Sequence, residues 1–325
     1  MKVLVTGATS LLARTVVEQL LARGDEVVCL QRGAVTLPVH HIAADIRDAD
    51  AVRQAAAGCD GIIHAAAKVG VIGAWEDYRS TNVDGTANVI DAALAAGIGR
   101  VVHVSSPSVA HAGSSIAGLG AEPPVFGRKN AHYAESKAVA EQLAMTANSA
   151  DLAVVAIRPH LVWGPGDTQL VGRIVDRARS GRLALVGGGA ALIDTTYVSN
   201  AAESLVTALD VVQPGAPCAG RAYVIANGEP RQIRDLVAGM CAAAGVPFEP
   251  KDVPLAVARF AGSVIERAWR LARPDTEPPL TRFLAEQLGT AHWFDPRPAL
   301  VDLGWTPRVS IDEGLRALAQ WYQAS

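Results

Sequence analysis

The first thirty-one residues leave this chain little freedom of fold. Lys2-Val-Leu-Val-Thr6 is a short β-branched apolar run, Gly7-Ala-Thr-Ser10 is a turn, and Leu11 to Arg23 carries an apolar face at helical spacing. A second apolar run, Asp25 to Gln31, follows at once, so the opening is a strand–helix–strand unit. Such a crossover sets its two strands parallel, and a parallel sheet needs helices over both faces. Strand-like runs recur at Val39 to Ile42, Gly61 to His64, Arg100 to Ser105 and Leu152 to Arg158, with helical stretches between. The expected fold is α/β, a doubly wound parallel sheet whose ligands bind at the carboxyl ends of its strands.

The first turn points at a helix N-terminus, where free N–H groups and the positive dipole end favour a phosphate and Gly7 lets backbone approach closely. After Gly164-Pro-Gly166 the alternation loosens, with Gly/Pro breaks at 187–189, 213–217, Pro250 and Pro274 to Pro279. Residues 1–165, joined by 195–226, are assigned to the nucleotide-binding domain, and 166–194 with 227–325 to a smaller, interleaved substrate lobe. The interleaving rests on Asn200, read as a helix cap, and on Arg221 to Ala226, read as a strand returning to the sheet.

At 325 residues and 50% hydrophobic content the chain can bury a sizeable core. A net charge of −3 gives no electrostatic reason to expect nucleic acid as a partner. Cys29, Cys59, Cys218 and Cys241 are scattered, and His64, His111, His132 and His160 lack ligand spacing, so no metal is expected. The first strand begins at residue 2, and no uncharged apolar run is long enough to span a bilayer. A cytoplasmic location is expected.

Chemistry is suggested by Tyr133 and Lys137, one helical turn apart in Ala131-His-Tyr-Ala-Glu-Ser-Lys137. A phenol, with an ordinary pKa of about 10, becomes a useful acid–base group at neutral pH when a cation stabilises its phenolate. The hydroxyls of Ser105 to Ser108 follow a strand and can hold a carbonyl oxygen.

These features join a longer series. Val5-Thr-Gly-Ala-Thr9, His64-Ala-Ala-Ala67, Asn82-Val-Asp-Gly-Thr-Ala-Asn88, Val104-Ser-Ser-Pro-Ser108, Tyr133 to Lys137 and Arg158-Pro-His-Leu-Val-Trp-Gly-Pro165 agree in order and spacing with the extended short-chain dehydrogenase/reductase family. The chain resembles that family over essentially its whole length, and its 3β-hydroxysteroid dehydrogenase branch most. Ser106 to His111, Trp163 to Gln169, Asp194 to Tyr197 and Leu280 to Gln287 resemble bacterial members that reduce 2-alkyl-3-oxoalkanoates in olefin biosynthesis.

The resemblance implies a Rossmann-like domain holding NADP or NAD, with Ser106, Tyr133, Lys137 and Asn82 as catalytic residues. Ser106 follows from counting back from Val109; Ser105 and Ser108 are its one-register alternatives. Asn82 either holds a helix backbone and a relay water, as in the family, or simply begins the helix through Thr86. The implied task of Lys137 is double: to lower the Tyr133 pKa and to hydrogen-bond the nicotinamide ribose. The implied cofactor contacts are Gly7, Thr9, Ser10, Leu11, Leu12, Gln31, Arg32, Asp45, Ile46, Ala65, Ala66, Ala67, Tyr133, Lys137, Pro159, Leu161 and Val162. The family's Gly-x-x-Gly-x-x-Gly turn has Ser10 and Ala13 at its later positions. Ala13 sits where the family packs helix on strand, whereas Ser10 either weakens the pyrophosphate site or donates a hydrogen bond to it. Gln31 and Arg32, in place of an acidic residue after the second strand, favour NADP over NAD. Asp45 is expected to contact adenine, to cap the next helix, or both.

The substrate is expected to be a greasy 3-oxo compound: a 2-alkyl-3-oxoalkanoic acid, or alternatively a 3β-hydroxysteroid or sterol-4-carboxylate. A nucleotide-sugar epimerase or dehydratase predicts an acidic residue directly after the catalytic serine, where Pro107 stands; a non-catalytic NADP sensor has no use for the Tyr133–Lys137 pair. The helix expected over 254–273 gathers Arg259, Glu266, Arg267, Arg270 and Arg273 on one side and Val257, Phe260, Ala261, Val264, Ile265, Ala268 and Leu271 on the other. That apolar side either faces the core or roofs an acyl channel, meets a pathway enzyme or lies on a membrane. Lys68, Arg128 and Lys129 are the candidate cations for a substrate carboxylate, and a homodimer through the helices of Asn82 to Ala96 and Tyr133 to Met145 is expected by analogy.

Overall fold

A computed structural model describes residues 1–70, 73–110, 115–128, 131–272 and 281–324. His111, Lys129, Arg273, the Pro274 to Pro279 breaks and Leu280 lie outside the described residues, as do the side chains of Arg270 and Leu271. The first half runs β1 (Lys2–Thr6), α1 (Leu11–Ala22), β2 (Glu26–Gln31), β3 (His40–Ala43), α2 (Ala49–Ala56), β4 (Gly61–His64), α3 (Trp75–Tyr78), a π-helical turn Arg79–Asp84, α4 (Gly85–Ala95), β5 (Arg100–Val104), β6 (Ile116–Leu119), α5 (His132–Thr146) and β7 (Ala153–Pro159). The second half runs β8 (Val162–Trp163), α6 (Val171–Arg179), β9 (Ala184–Val186), β10 (Leu192–Ile193), β11 (Thr196–Tyr197), α7 (Val198–Val211), β12 (Ala222–Ile225), β13 (Arg231–Gln232), α8 (Ile233–Ala243), β14 (Lys251–Val253), α9 (Leu255–Ala272), α10 (Arg282–Gly289), β15 (His292–Phe294), α11 (Arg297–Leu303) and α12 (Ile311–Ala324).

Seven parallel strands form one sheet in the order β12-β7-β5-β4-β1-β2-β3. Both faces are covered, which is why the strands read as continuous apolar runs. One core lies beneath α1 and α7, the other beneath α2 and α4. The strand order reverses between β1 and β4, and the crevice at that switch point is where a doubly wound sheet binds its ligand. β12 pairs parallel to β7 through Ala222↔Ala156 to Ile225↔Pro159, so the run at 221–226 does return to the sheet.

Asn200 is not a cap. It lies inside α7, buried, and its amide ties the helix to the 308–309 backbone and to Asn227 Oδ1. A polar side chain near a helix start reads as a cap in sequence, but tertiary partners far along the chain claim this one.

A third core, built on Trp163, Leu185, Ile193, Tyr197, Met240 and Leu318, fills the C-terminal lobe. β6, from the first half of the chain, pairs with β15 in the lobe's four-stranded sheet β13-β10-β15-β6. α9 packs on α10 through Leu255 and Ala258. Val257, Phe260 and Val264 turn to solvent, with Phe260 73% exposed, so this apolar face is not the core-facing one. Among the described residues no helix is long and apolar enough to cross a membrane.

Candidate active site

The phosphate turn is held by close approach rather than by side chains. Gly7 has φ +77°, and a Cβ there would stand 2.7 Å from Ala66 Cα, so only glycine lets the β1 turn lie against the β4 turn. Thr6 Oγ1 accepts from Ala66 N at 3.1 Å and bonds His64 Nδ1 at 2.8 Å, while His64 Nε2 meets Thr86 Oγ1 at 3.0 Å. Burial depresses His64 to about 3, so its ring is neutral.

Ser10 is the N-cap of α1, its Oγ accepting from Ala13 N at 3.2 Å. That leaves its hydroxyl proton, with the first-turn amides of Leu11 and Leu12, to donate outward. Ala13 is fully buried where α1 meets the sheet.

At the end of β2, Gln31 is buried and turned inward, Nε2 donating to Gly33 O at 2.8 Å, while its Oε1 is buried without a partner. The inference from a free Gln31 amide is thereby corrected, and Arg32 alone projects, its side chain 80% exposed and 3.7 Å from Asp45. Asp45 is bound mainly by Arg47, which holds its carboxyl below the usual range, and Asp48 rather than Asp45 caps α2. The cap reading of Asp45 fails because the helix begins three residues later than the sequence suggests. Ile46 is buried against Gly85, whose missing side chain lets α4 settle there: a Cβ would stand 2.6 Å from Ile46 Cδ1.

The catalytic candidates converge at the ends of β4, β5 and β7. Ser106 caps the short 3₁₀ turn Pro107–Val109, and its Oγ accepts from both Ser108 N (3.2 Å) and Ser108 Oγ (2.9 Å). With both lone pairs engaged, its own proton is left to point towards the Tyr133 phenol, whose pKa Ser106 draws down against burial. Of the other two serines that the sequence leaves open, Ser105 is buried with its Oγ unpartnered and Ser108 donates its hydroxyl to Ser106.

Tyr133 and Lys137 lie on α5, with Lys137 buried and its Nζ donating to Val104 O at 2.6 Å. Burial lowers Lys137 to about 8, a fall that Glu141, one turn further on, opposes. Burial raises the Tyr133 pKa, and the opposing group is Ser106. The expected lowering of the phenol by Lys137 is therefore not what the structure shows: desolvation wins and the ammonium is engaged by the β5 carbonyl.

Asn82 does not begin a helix either. It sits inside the π-turn, where Oδ1 accepts from Lys68 N at 2.6 Å and Nδ2 donates to Lys68 O at 3.0 Å and Ser136 Oγ at 2.9 Å. Ser136 in turn donates to Tyr133 O, so Asn82 joins the loop after β4 to the helix that carries Tyr133 and Lys137.

Pro159 ends β7 and Val162 opens β8, and Leu161 between them has φ +42°, the sole non-glycine residue with positive φ among the described residues. A branched side chain held there is strained, and strain of this kind gathers at ligand sites. Behind the serine turn lies a cavity of about 100 Å³ whose lining includes Pro107, Ile116, Leu119, Glu122, Arg158, Val224 and Phe294. The sequence does not announce this cavity, because β6 and β15 bring its walls together from opposite ends of the chain.

Gly7, which a Cβ would crowd against Ala66, and the free N-terminal amides of α1 are the features of a dinucleotide cradle, so the residues present fit an NAD(P) cofactor. Among the described residues no cluster of His, Cys, Asp and Glu suits a metal.

The model of the 3-beta hydroxysteroid dehydrogenase/isomerase family matches residues 4–256. The chain is 48% identical to 2-alkyl-3-oxoalkanoate reductase of Stenotrophomonas maltophilia (strain K279a), covering 98% of each chain. It is 39% identical to the protein of the same name in Shewanella oneidensis, over 97% of this chain and 84% of that one. Among solved structures it is similar to MoeE5 in complex with UDP-glucuronic acid and NAD (TM-score 0.74, 24% identity, 100% and 99% coverage). A Thermus thermophilus UDP-glucose 4-epimerase complex with NAD gives a TM-score of 0.71 at 23% identity, covering all of both chains. At those identities the solved structures speak for the fold.

Proposed function

This chain belongs to the 3-beta hydroxysteroid dehydrogenase/isomerase family and is an NAD(P)-dependent reductase of the extended short-chain type, and from that premise we propose that it reduces the 3-oxo group of a hydrophobic 2-alkyl-3-oxoalkanoic acid with NADPH. The observation that carries this reading is the meeting of Ser106, Tyr133 and Lys137 at one strand end, in a chain 48% identical to a reductase of that name.

Gly7, Leu11 and Leu12 would hold the pyrophosphate, Arg32 the adenosine 2′-phosphate, and Leu161 and Val162 a face of the nicotinamide. When bound, the cofactor supplies the hydride. Ser106 and Tyr133 grip the substrate carbonyl oxygen, and Tyr133 gives up its proton as negative charge develops there. Burial suits Tyr133 to that direction, because a phenol with a raised pKa stays protonated at neutral pH. Lys137 keeps a positive charge close behind as the phenolate forms. Alcohol oxidation uses the same groups in reverse and needs the phenolate first, so it gains from higher pH.

The cavity behind Pro107, partly apolar at Ile116, Leu119, Val224 and Phe294, is compatible with the start of an alkyl chain and supports the hydrophobic-substrate reading. The direct test is NADPH oxidation with a long-chain 2-alkyl-3-oxo acid. Turnover supports the proposal, and turnover of a 3-oxosteroid alone transfers it to the hydroxysteroid reading.

A further inference from the structure

The acid proposed as substrate carries a carboxylate only two carbon–carbon bonds from the carbon that is reduced. A cation that recognises it must therefore stand beside Ser106 and Tyr133. Several cations near the site have other engagements. Lys68 is paired with Asp77 at 3.8 Å and lies over the Tyr78 ring. Lys137 is buried and donates to Val104 O. Arg158 is sealed in a buried pair with Glu141.

Arg128 differs from all three. Its Nη1 donates to Ser108 O at 2.6 Å and its Nη2 to Val109 O at 2.9 Å, which fixes the guanidinium on the same turn that presents Ser106. The loop is held in turn by Glu135, whose carboxylate accepts from Gly127 N at 3.0 Å and Arg128 N at 2.8 Å, two residues along α5 from Tyr133. Glu135 is thus engaged by backbone amides, and the Arg128 side chain is half-buried with no carboxylate in ion-pair contact among the described residues. Glu135 attracts the guanidinium through space but does not touch it, and burial outweighs that attraction, so a carboxylate arriving in direct contact would be favoured. Two of the five guanidinium N–H groups are engaged by the carbonyls, which leaves donors in one plane for a carboxylate.

We propose that Arg128 is the specificity-determining residue that binds the substrate carboxylate, so that the enzyme selects 3-oxo acids over neutral 3-oxo compounds of the same chain. This rests on the oxo-acid reading above. The clamp on the serine turn makes the two functions one device: the charge that recognises the acid also sets the position of Ser106.

The test compares kcat/KM for a 2-alkyl-3-oxo acid with that for its methyl ester, in wild type and in Arg128→Met and Arg128→Lys. Loosening of the serine turn lowers both substrates together, whereas loss of carboxylate recognition changes their ratio. Arg128→Met is expected to lower the acid-over-ester preference about 10- to 100-fold, the range for a charge-assisted hydrogen bond, with Arg128→Lys recovering part of it. An acid-over-ester ratio unchanged in Arg128→Met, in an enzyme whose wild type reduces the acid, overturns the inference and leaves the reductase reading standing. A wild type that reduces the ester but not the acid overturns both.

Discussion

Asp194 is sealed between β10 and β11, where its carboxylate accepts amide N–H bonds from Gly228 at 3.1 Å and Glu229 at 3.3 Å. Burial outweighs those bonds and raises it to about 7. A carboxyl whose folded pKa lies above its unfolded value adds stability that is complete below its ordinary value of 3.8 and is lost as pH rises through about 7. Wild type should accordingly lose thermal stability between pH 5 and pH 8 relative to Asp194→Asn, which carries no such titration; parallel melting curves against pH would contradict this. Arg32 is the other residue with a measurable consequence. Its exposed guanidinium is expected to meet the 2′-phosphate, so Arg32→Ala should weaken NADPH binding about tenfold by fluorescence titration and leave NADH nearly unchanged. At this scale the sequence is most easily misread. Residue types announced Tyr133, Lys137 and Ser106, but whether Gln31 faces ligand or core, or whether Asp45 or Asp48 caps α2, depends on neighbours that sequence order does not display.

The element that carries the proposed catalytic pair Tyr133 and Lys137 is α5. Its buried set includes Ser136, Lys137 and Glu141, so polar residues lie on its inner face and no clean apolar stripe marks it. Chemistry rather than periodicity made it legible. Its anchor is the pair Arg158–Glu141: Arg158 Nε donates to Glu141 Oε2 at 2.8 Å and Nη2 to Oε1 at 2.5 Å, with Nη1 donating to Glu122 O at 2.7 Å. Removing one partner strands a buried charge. Glu141→Gln should lower unfolding free energy by about 3–5 kcal/mol in urea titrations, and the double change Glu141→Leu with Arg158→Met should recover much of it. A Glu141→Gln protein of wild-type stability would show that the pair does not hold the helix. An Arg inside the run Leu152 to Arg158 was the available signal for a buried partner. The π-turn that carries Asn82 had none, since its geometry is set by the contacts of Asn82 with Lys68 and Ser136.

Across the molecule, alternating apolar runs and the Gly7 turn predict the parallel sheet and its switch point, because these depend on local pattern and on the handedness of crossovers. The lobe was less legible. Its strands are two to four residues long, pair across large sequence separations and draw β6 from the first half of the chain, so no window of sequence contains both partners. The candidate site lies where the two parts meet: the end of β5 leads into Ser106 and α5 supplies Tyr133 and Lys137, while β6 and β15 wall the cavity behind the serine turn. The central proposal is that Tyr133 is the phenolic proton donor. The most direct measurement is NADPH and NADH oxidation by wild type and Tyr133→Phe with a long-chain 2-alkyl-3-oxo acid, beside a 3-oxosteroid. Turnover of the acid, reduced at least about 100-fold in Tyr133→Phe while NADPH still binds, is the expected result. Equal rates in the two proteins, or no turnover of the acid by a wild type that binds NADPH, would contradict it.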